Sequence, residues 1–252
     1  MQLFITQEEG IYMQINYERL ATIATNPKSR SRMANDTSEV LSSYMKLLSN
    51  LIYATEKLSE SEMAMIINSL NRWITKKDYS DNRTYGIGKI VQMEWGTNFS
   101  PELSYKHPAV IVEEWKNTVL VIPTTSTPAK VQEAFHPVEN PEGKWYYRKV
   151  GIEEGFAHDC ALILNNAKIM SKARITSVSG SITGNLNDKE NVFREIRKTM
   201  IKHFFSKEWI EHQKLAQAYE EEQNKTKELQ ENYNKLLKDY NTLKSADNNA
   251  TT

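Results

Sequence analysis

Residues Ser100 to Val112 read SPELSYKHPAVIV. A carboxylate (Glu102), an ammonium (Lys106) and an imidazole (His107) precede PAVIV, a run with the composition of a buried strand. An imidazole with an ordinary pKa of about 6.5 can take or give a proton near neutral pH. A neighbouring lysine can turn positive charge toward a phosphate. Thr125 and Ser126 end a second strand-like run, VLVIPTTS, and offer hydroxyls that could orient a non-bridging oxygen. These are the parts that metal-free RNA cleavage uses. The ribose 2′-OH attacks phosphorus, so a base removes its proton, donors hold the developing charge, and an acid protonates the leaving 5′-oxygen. Glu102 suits the base or an anchor for its loop.

Other chemistries fit poorly. AHDC, Ala157 to Cys160, sets His, Asp and Cys side by side, but consecutive strand residues point to opposite faces. GIG at Gly86 to Gly88 lacks the rest of a phosphate-binding glycine loop. The five histidines are scattered, and Cys160 is the only cysteine, so spacing suggests no metal site, disulfide framework or cofactor. Lys plus Arg and Asp plus Glu are each 32, which gives no global field toward nucleic acid or membrane. The N-terminus has no basic n-region, and no apolar run approaches the roughly 18 residues of a membrane span. The expectation is a cytoplasmic protein with no membrane partner.

Three textures divide the chain. Residues 1–83 form an extension in which the apolar residues from about 36 to 79 fall at helical spacing, from Val40, Leu41 and Tyr44 to Leu70, Trp73 and Ile74. Ser59 and Glu62 have capping-box spacing, which predicts a break and a helical hairpin. Upstream, TNPKSRSR reads as a mobile loop after a short apolar start. Residues 84–186 change to short β-type runs: GKIVQMEW, PAVIVEEW, NTVLVIPTTS, KWYYRKV, CALILNN and RITSVSGSIT. The short turn at Lys116 and Asn117 predicts antiparallel neighbours, and so many short strands predict a small closed or nearly closed barrel. Residues 187–246 are helical again. Val192 to Ile210 is apolar enough to pack on the body; beyond it a thinner stripe, Leu215, Tyr219, Leu229, Tyr233, Leu236, Tyr240 and Leu243, predicts a coiled coil or long helix, with Glu222 and Thr226 interrupting the seam. Residues 247–252 read as a disordered tail.

The order GKIVQMEWGTNFSPELSYKHPAVIV, VLVIPTTS, LNNAKIMSKARI and SGSI resembles the core of the MazF/PemK-like toxin family over about residues 86–186. The resemblance implies an α+β protein built on a small SH3-like antiparallel β-barrel with helical extensions, usually a homodimer. It also implies metal-independent, sequence-selective cleavage of single-stranded RNA, restrained by an antitoxin protein. His107 falls where most members carry an arginine before proline, Thr125 and Ser126 on the family's Thr-Ser, and Glu102 on its loop glutamate. Asn166, Lys168, Lys172 and Arg174 fall on a later polar segment, with Asn166 in place of the usual Gln and Ser171 in place of the usual Asp.

The resemblance thus nominates His107, Thr125 and Glu102 as catalytic, with Ser126, Lys168 and Arg174 toward the substrate. The residues themselves add Lys106 as a phosphate contact and KWYYRK as a basic and aromatic strip. There Lys144 and Arg148 would hold the RNA backbone while aromatics stack bases. From Thr84 to Asn185 ten cations face ten carboxylates, so any RNA groove must be local. The competing expectation is a binding module on the same barrel that has lost cleavage and holds RNA or a protein through its groove and coiled coil.

Overall fold

The computed structural model describes residues 12–250. The short apolar start lies outside the described residues, as do Thr251, Thr252 and the side chains of Tyr240 and Leu243. The chain is α+β and forms two compact units. One comprises the described residues up to Asp78 together with Gly96–Phe99 and Ser104–Lys106; the other comprises Tyr79–Trp95, Ser100–Leu103 and the chain from His107 onward.

The first unit contains helices α1 (Tyr17–Thr25), α2 (Ser38–Thr55) and α3 (Glu60–Lys76). TNPKSRSR, expected as a mobile loop, contains instead the 3-10 turn Pro27–Ser31. Asn26 fixes it: its side chain accepts from the Lys28 N–H at 3.0 Å, and Pro27 presets the first helical φ. Asn16 caps α1 in the same way through the Arg19 N–H. Before α3, the Ser59 hydroxyl accepts from the Glu62 N–H at 3.2 Å while the Glu62 carboxylate accepts from the Ser59 N–H at 3.1 Å, a reciprocal capping box. The Ser59 hydroxyl also donates to the Glu62 carboxylate at 2.8 Å, and this bond first, with the Ser59 N–H second, lowers the Glu62 pKa.

The second unit is an eight-stranded sheet with helices. Its strands are β1 (Lys89–Glu94), β2 (Lys106–Glu114), β3 (Thr118–Thr125), β4 (Ala134–Phe135), β5 (Lys144–Val150), β6 (Cys160–Ile163), β7 (Lys168–Ser171) and β8 (Ile175–Ser181). They run in the order β4-β5-β6-β3-β2-β1-β8, with β7 paired to β3. The sheet is not closed into a barrel: β4 and β8 are its ends. A two-residue β4 leaves little edge to pair, and two register shifts between β1 and β8 bend the other end.

Strand β2 carries PAVIV because both of its faces are covered. Val110, Val112, Ile122, Leu162 and Leu164 form one core with Val192, Phe193 and Ile196. The last three belong to α5 (Val192–Phe204), whose cap Asn191 accepts from the Phe193 N–H. Ala109, Ile111, Val119, Val121, Met93 and Trp95 form a second core on the other face, with Leu103 and Tyr85 packed against it. Burying one Phe or Ile side chain contributes about 1.5–3 kcal/mol, so losing either face would be severe.

Only the first part of the Val192 to Ile210 apolar run packs as expected. Ile201, Phe204, Phe205 and Ile210 remain exposed, because α5 ends at Phe204 and α6 (Ser206–Ala250) begins anew. Leu215, Tyr219, Leu229, Tyr233 and Leu236 of α6 are all exposed. The helix also continues through residues 247–250, which composition assigned to a disordered tail. Once nucleated, a helix extends at little cost per residue.

Candidate active site

The register of β2 and β3 pairs Ile111 with Val121 and Ala109 with Pro123. Carried two residues further, it sets His107 across from Thr125. Directly opposed residues on an antiparallel pair share a face, here the face of Ile111 and Val121. Thr125 also pairs with Ala161 on its other side, which holds it at the centre of the sheet. His107 is half-buried and Thr125 is 8% exposed.

The Thr125 hydroxyl is engaged locally. It donates to the Thr127 hydroxyl at 3.0 Å and accepts from the Thr127 N–H at 3.3 Å, stabilising the turn into α4 (Pro128–Glu133). A hydroxyl has one proton to donate, so contact with a phosphate oxygen requires that proton to rotate away from Thr127. Ser126, next in the turn, is exposed.

Glu102 is exposed and pairs with Lys168 at 3.5 Å. Lys168 stands opposite Val121 on β7, on the same face as His107 and Thr125, but about 13 Å along the sheet from Thr125 at roughly 3.3 Å per residue. This pairing fits an anchor for the loop better than a base. Both partners are more than half exposed, so the pair contributes little to stability. At the loop's base the Tyr105 N–H donates to the Gly96 carbonyl at 2.7 Å, and Tyr105 adopts a left-handed φ of 66°, uncommon outside glycine. Lys106 opens β2, exposed and, by alternation, on the opposite face from His107.

The remaining cations split sharply. Arg174 is half-buried and donates to the Glu94 carbonyl at 3.0 Å. Lys172 is buried, with its ammonium 2.6 Å from Glu114 and donating to the Arg83 carbonyl at 2.9 Å. Burial pushes the Glu114 pKa up, but Lys172 and the N–H groups of Tyr85 and Gly86 outweigh that and hold it below the usual range. Nearby, the guanidinium of Arg83 holds the buried Asp81 carboxyl well below its usual range, while burial pushes Tyr85 up to about 12. Asn166 is half-buried in the turn Leu164–Asn166, and Ser171 caps the next turn by accepting from the Ala173 N–H.

KWYYRK does not form a free basic strip. The Arg148 side chain is 5% exposed and makes a two-pronged bond to Glu195 of α5 at 2.7 and 2.9 Å; it also donates to the Lys149 carbonyl. Lys144 bonds Glu133 at 2.7 Å, and Lys149 bonds Glu139. Trp145 stacks on His203 with ring centroids 3.8 Å apart, and Phe204 meets its edge. Burial, with Lys202 beside it, lowers the His203 pKa. Sequence reasoning took these residues for a groove because their partners, Glu133, Glu139, Glu195 and His203, lie 10 to 58 positions away. The alternation of KWYYRK was the available signal, since it aims Arg148 and Val150 at one core.

Among the described residues, no helix is long and apolar enough to cross a membrane. No protein-family model matches the chain, and no curated protein matches it either.

Proposed function

We propose that the chain is a metal-independent endoribonuclease of the MazF/PemK type, acting on single-stranded RNA and restrained by an antitoxin protein. In this reading the open sheet is a variant of the SH3-like barrel. The observation that carries it is the β2 and β3 register, which sets His107 across from Thr125 on one face. His107 transfers the proton at the 2′-OH or the 5′-oxygen, Thr125 orients a non-bridging oxygen, and Glu102 holds the loop through Lys168. The exposed stripe of α6 supports self-association: Leu215, Tyr219, Leu229, Tyr233 and Leu236 follow heptad spacing and are all uncovered.

The test is cleavage of mixed-sequence single-stranded RNA by the purified chain in EDTA. Wild type cuts, and His107→Ala lowers the rate by about 10²–10⁴-fold with the circular dichroism spectrum unchanged. Intact RNA after prolonged incubation with wild type, or equal rates for the two proteins, sinks the proposal. Binding without cutting is the outcome that favours the binding module, a reading supported by the local engagement of the Thr125 hydroxyl.

A further inference from the structure

Among the described residues, two cations of the first unit, Arg30 and Arg32, have no carboxylate partner. Arg19, Arg30 and Arg32 line a cavity of about 350 Å³ with Ser29, Thr37 and Glu39. Among the described residues of that wall Glu39 is the one carboxylate, and Arg19 already engages it at 3.2 Å. Arg30 and Arg32 make no ion pair or side-chain hydrogen bond among the described residues, and both are exposed. Both line the same cavity, so an anion held there is attracted by two guanidiniums at once. Their backbone is held by the Asn26 cap and by Pro27, so little chain entropy is lost when an anion binds.

The donor set favours phosphate over carboxylate. Each guanidinium presents a planar fork that matches two oxygens, and two forks with the hydroxyls of Ser29 and Thr37 exceed what one carboxylate can accept. The cavity also exceeds a bare anion, since volumes of about 300 Å³ and above hold small organic ligands. Ile23, Met33 and Val40 give it an apolar wall on which a flat base can lie.

We propose that this cavity binds one nucleotide unit of single-stranded RNA, with Arg30 and Arg32 on its phosphate and the base against Ile23 and Met33. The proposal rests on the RNA-directed reading above and adds to it a binding site in the N-terminal unit, outside the sheet. RNA held there is concentrated on the protein whatever happens at His107.

The experiment measures binding of a fluorescent ten-nucleotide single-stranded RNA to the full chain, using wild type, the double variant R30Q/R32Q and, as control, K57Q at an exposed lysine. Adenosine monophosphate, adenosine and inorganic phosphate serve as competitors. R30Q/R32Q is expected to weaken RNA binding at least tenfold and to reduce the slope of log affinity against log salt by about 0.7, the value for one single-strand phosphate. K57Q changes neither. Adenosine monophosphate competes, whereas adenosine and phosphate compete at least tenfold more weakly.

Unchanged affinity and slope in R30Q/R32Q overturn the proposal, as does wild type that binds neither RNA nor adenosine monophosphate. Competition by phosphate as strong as by adenosine monophosphate overturns the nucleotide assignment. The two proposals fail separately. Binding that depends on Arg30 and Arg32 without cleavage in EDTA sinks the nuclease alone; cleavage with the same KM in R30Q/R32Q sinks this site alone.

Discussion

Two short stretches of this chain look alike on paper: KSRSR, Lys28 to Arg32, and KWYYRK, Lys144 to Lys149. Each gathers three cations within six residues, and the second adds three aromatic rings. In the fold they part company. Lys144, Arg148 and Lys149 each meet a carboxylate, and Trp145 stacks on His203. Among the described residues Arg30 and Arg32 meet none, and they border a cavity. Cation density along a sequence therefore says little about anion binding until the carboxylates brought in by the fold are counted. A strand imports partners from both neighbouring strands and from the helix packed on it; a short turn imports few.

The comparison breaks most visibly at Arg148. Arg148→Ala leaves Glu195 uncompensated beside the core and is expected to cost about 3 kcal/mol, read as a lower urea midpoint with an unchanged m-value. R30Q/R32Q is expected to stay within about 0.5 kcal/mol of wild type for each substitution. A reversed ranking would mean that the KSRSR cations are structural after all.

Acid sharpens the same contrast through the carboxylates. Asp81 and Glu114 both have folded-state pKa values below their unfolded ones. The unfolded chain therefore binds more protons, and the stability they contribute, present above the ordinary carboxylate range, is lost as pH falls through it and below. Urea midpoints at pH 7, 4 and 3 should fall in that order. Lys172→Met should flatten part of the fall, because Glu114 then loses the ammonium that holds its pKa down. A midpoint that is flat from pH 7 to 3 would refute the account.

Much of the fold was legible because its signals are local. PAVIV and VLVIPTT alternate so that both faces are apolar, Lys116 and Asn117 turn between them, and Ser59 with Glu62 forms a cap within four residues. The openness of the sheet was not legible. It depends on which strands meet at the ends, and β4 has only two residues to announce it. At the candidate site, His107 and Thr125 could be nominated by type, yet their apposition follows from a register set by residues between them. The partner of Arg148 was not legible, because Glu195 lies 47 residues away, on a helix whose docking no motif encodes. The Asn26 cap, by contrast, was within reach: an Asn-Pro pair before a polar run is a turn signal that composition alone obscured.

The smallest expected effect probes the aromatic half of KWYYRK. The His203 pKa is lowered in the fold, by burial first and Lys202 second. The unfolded chain then binds the proton more readily, so the stability tied to the neutral imidazole is present above its ordinary value of about 6.5 and lost as pH falls through the lowered one. Trp145 lies face to face with that ring, so tryptophan near-UV dichroism should change once pH falls below the ordinary imidazole range and His203 protonates. His203→Phe should keep an aromatic partner for Trp145 and remove the pH step. If single-stranded RNA quenches Trp145 at pH 7 as fully in His203→Phe as in wild type, the stack yields to a base. KWYYRK is then a second RNA contact, and the contrast between the two stretches narrows to their cations.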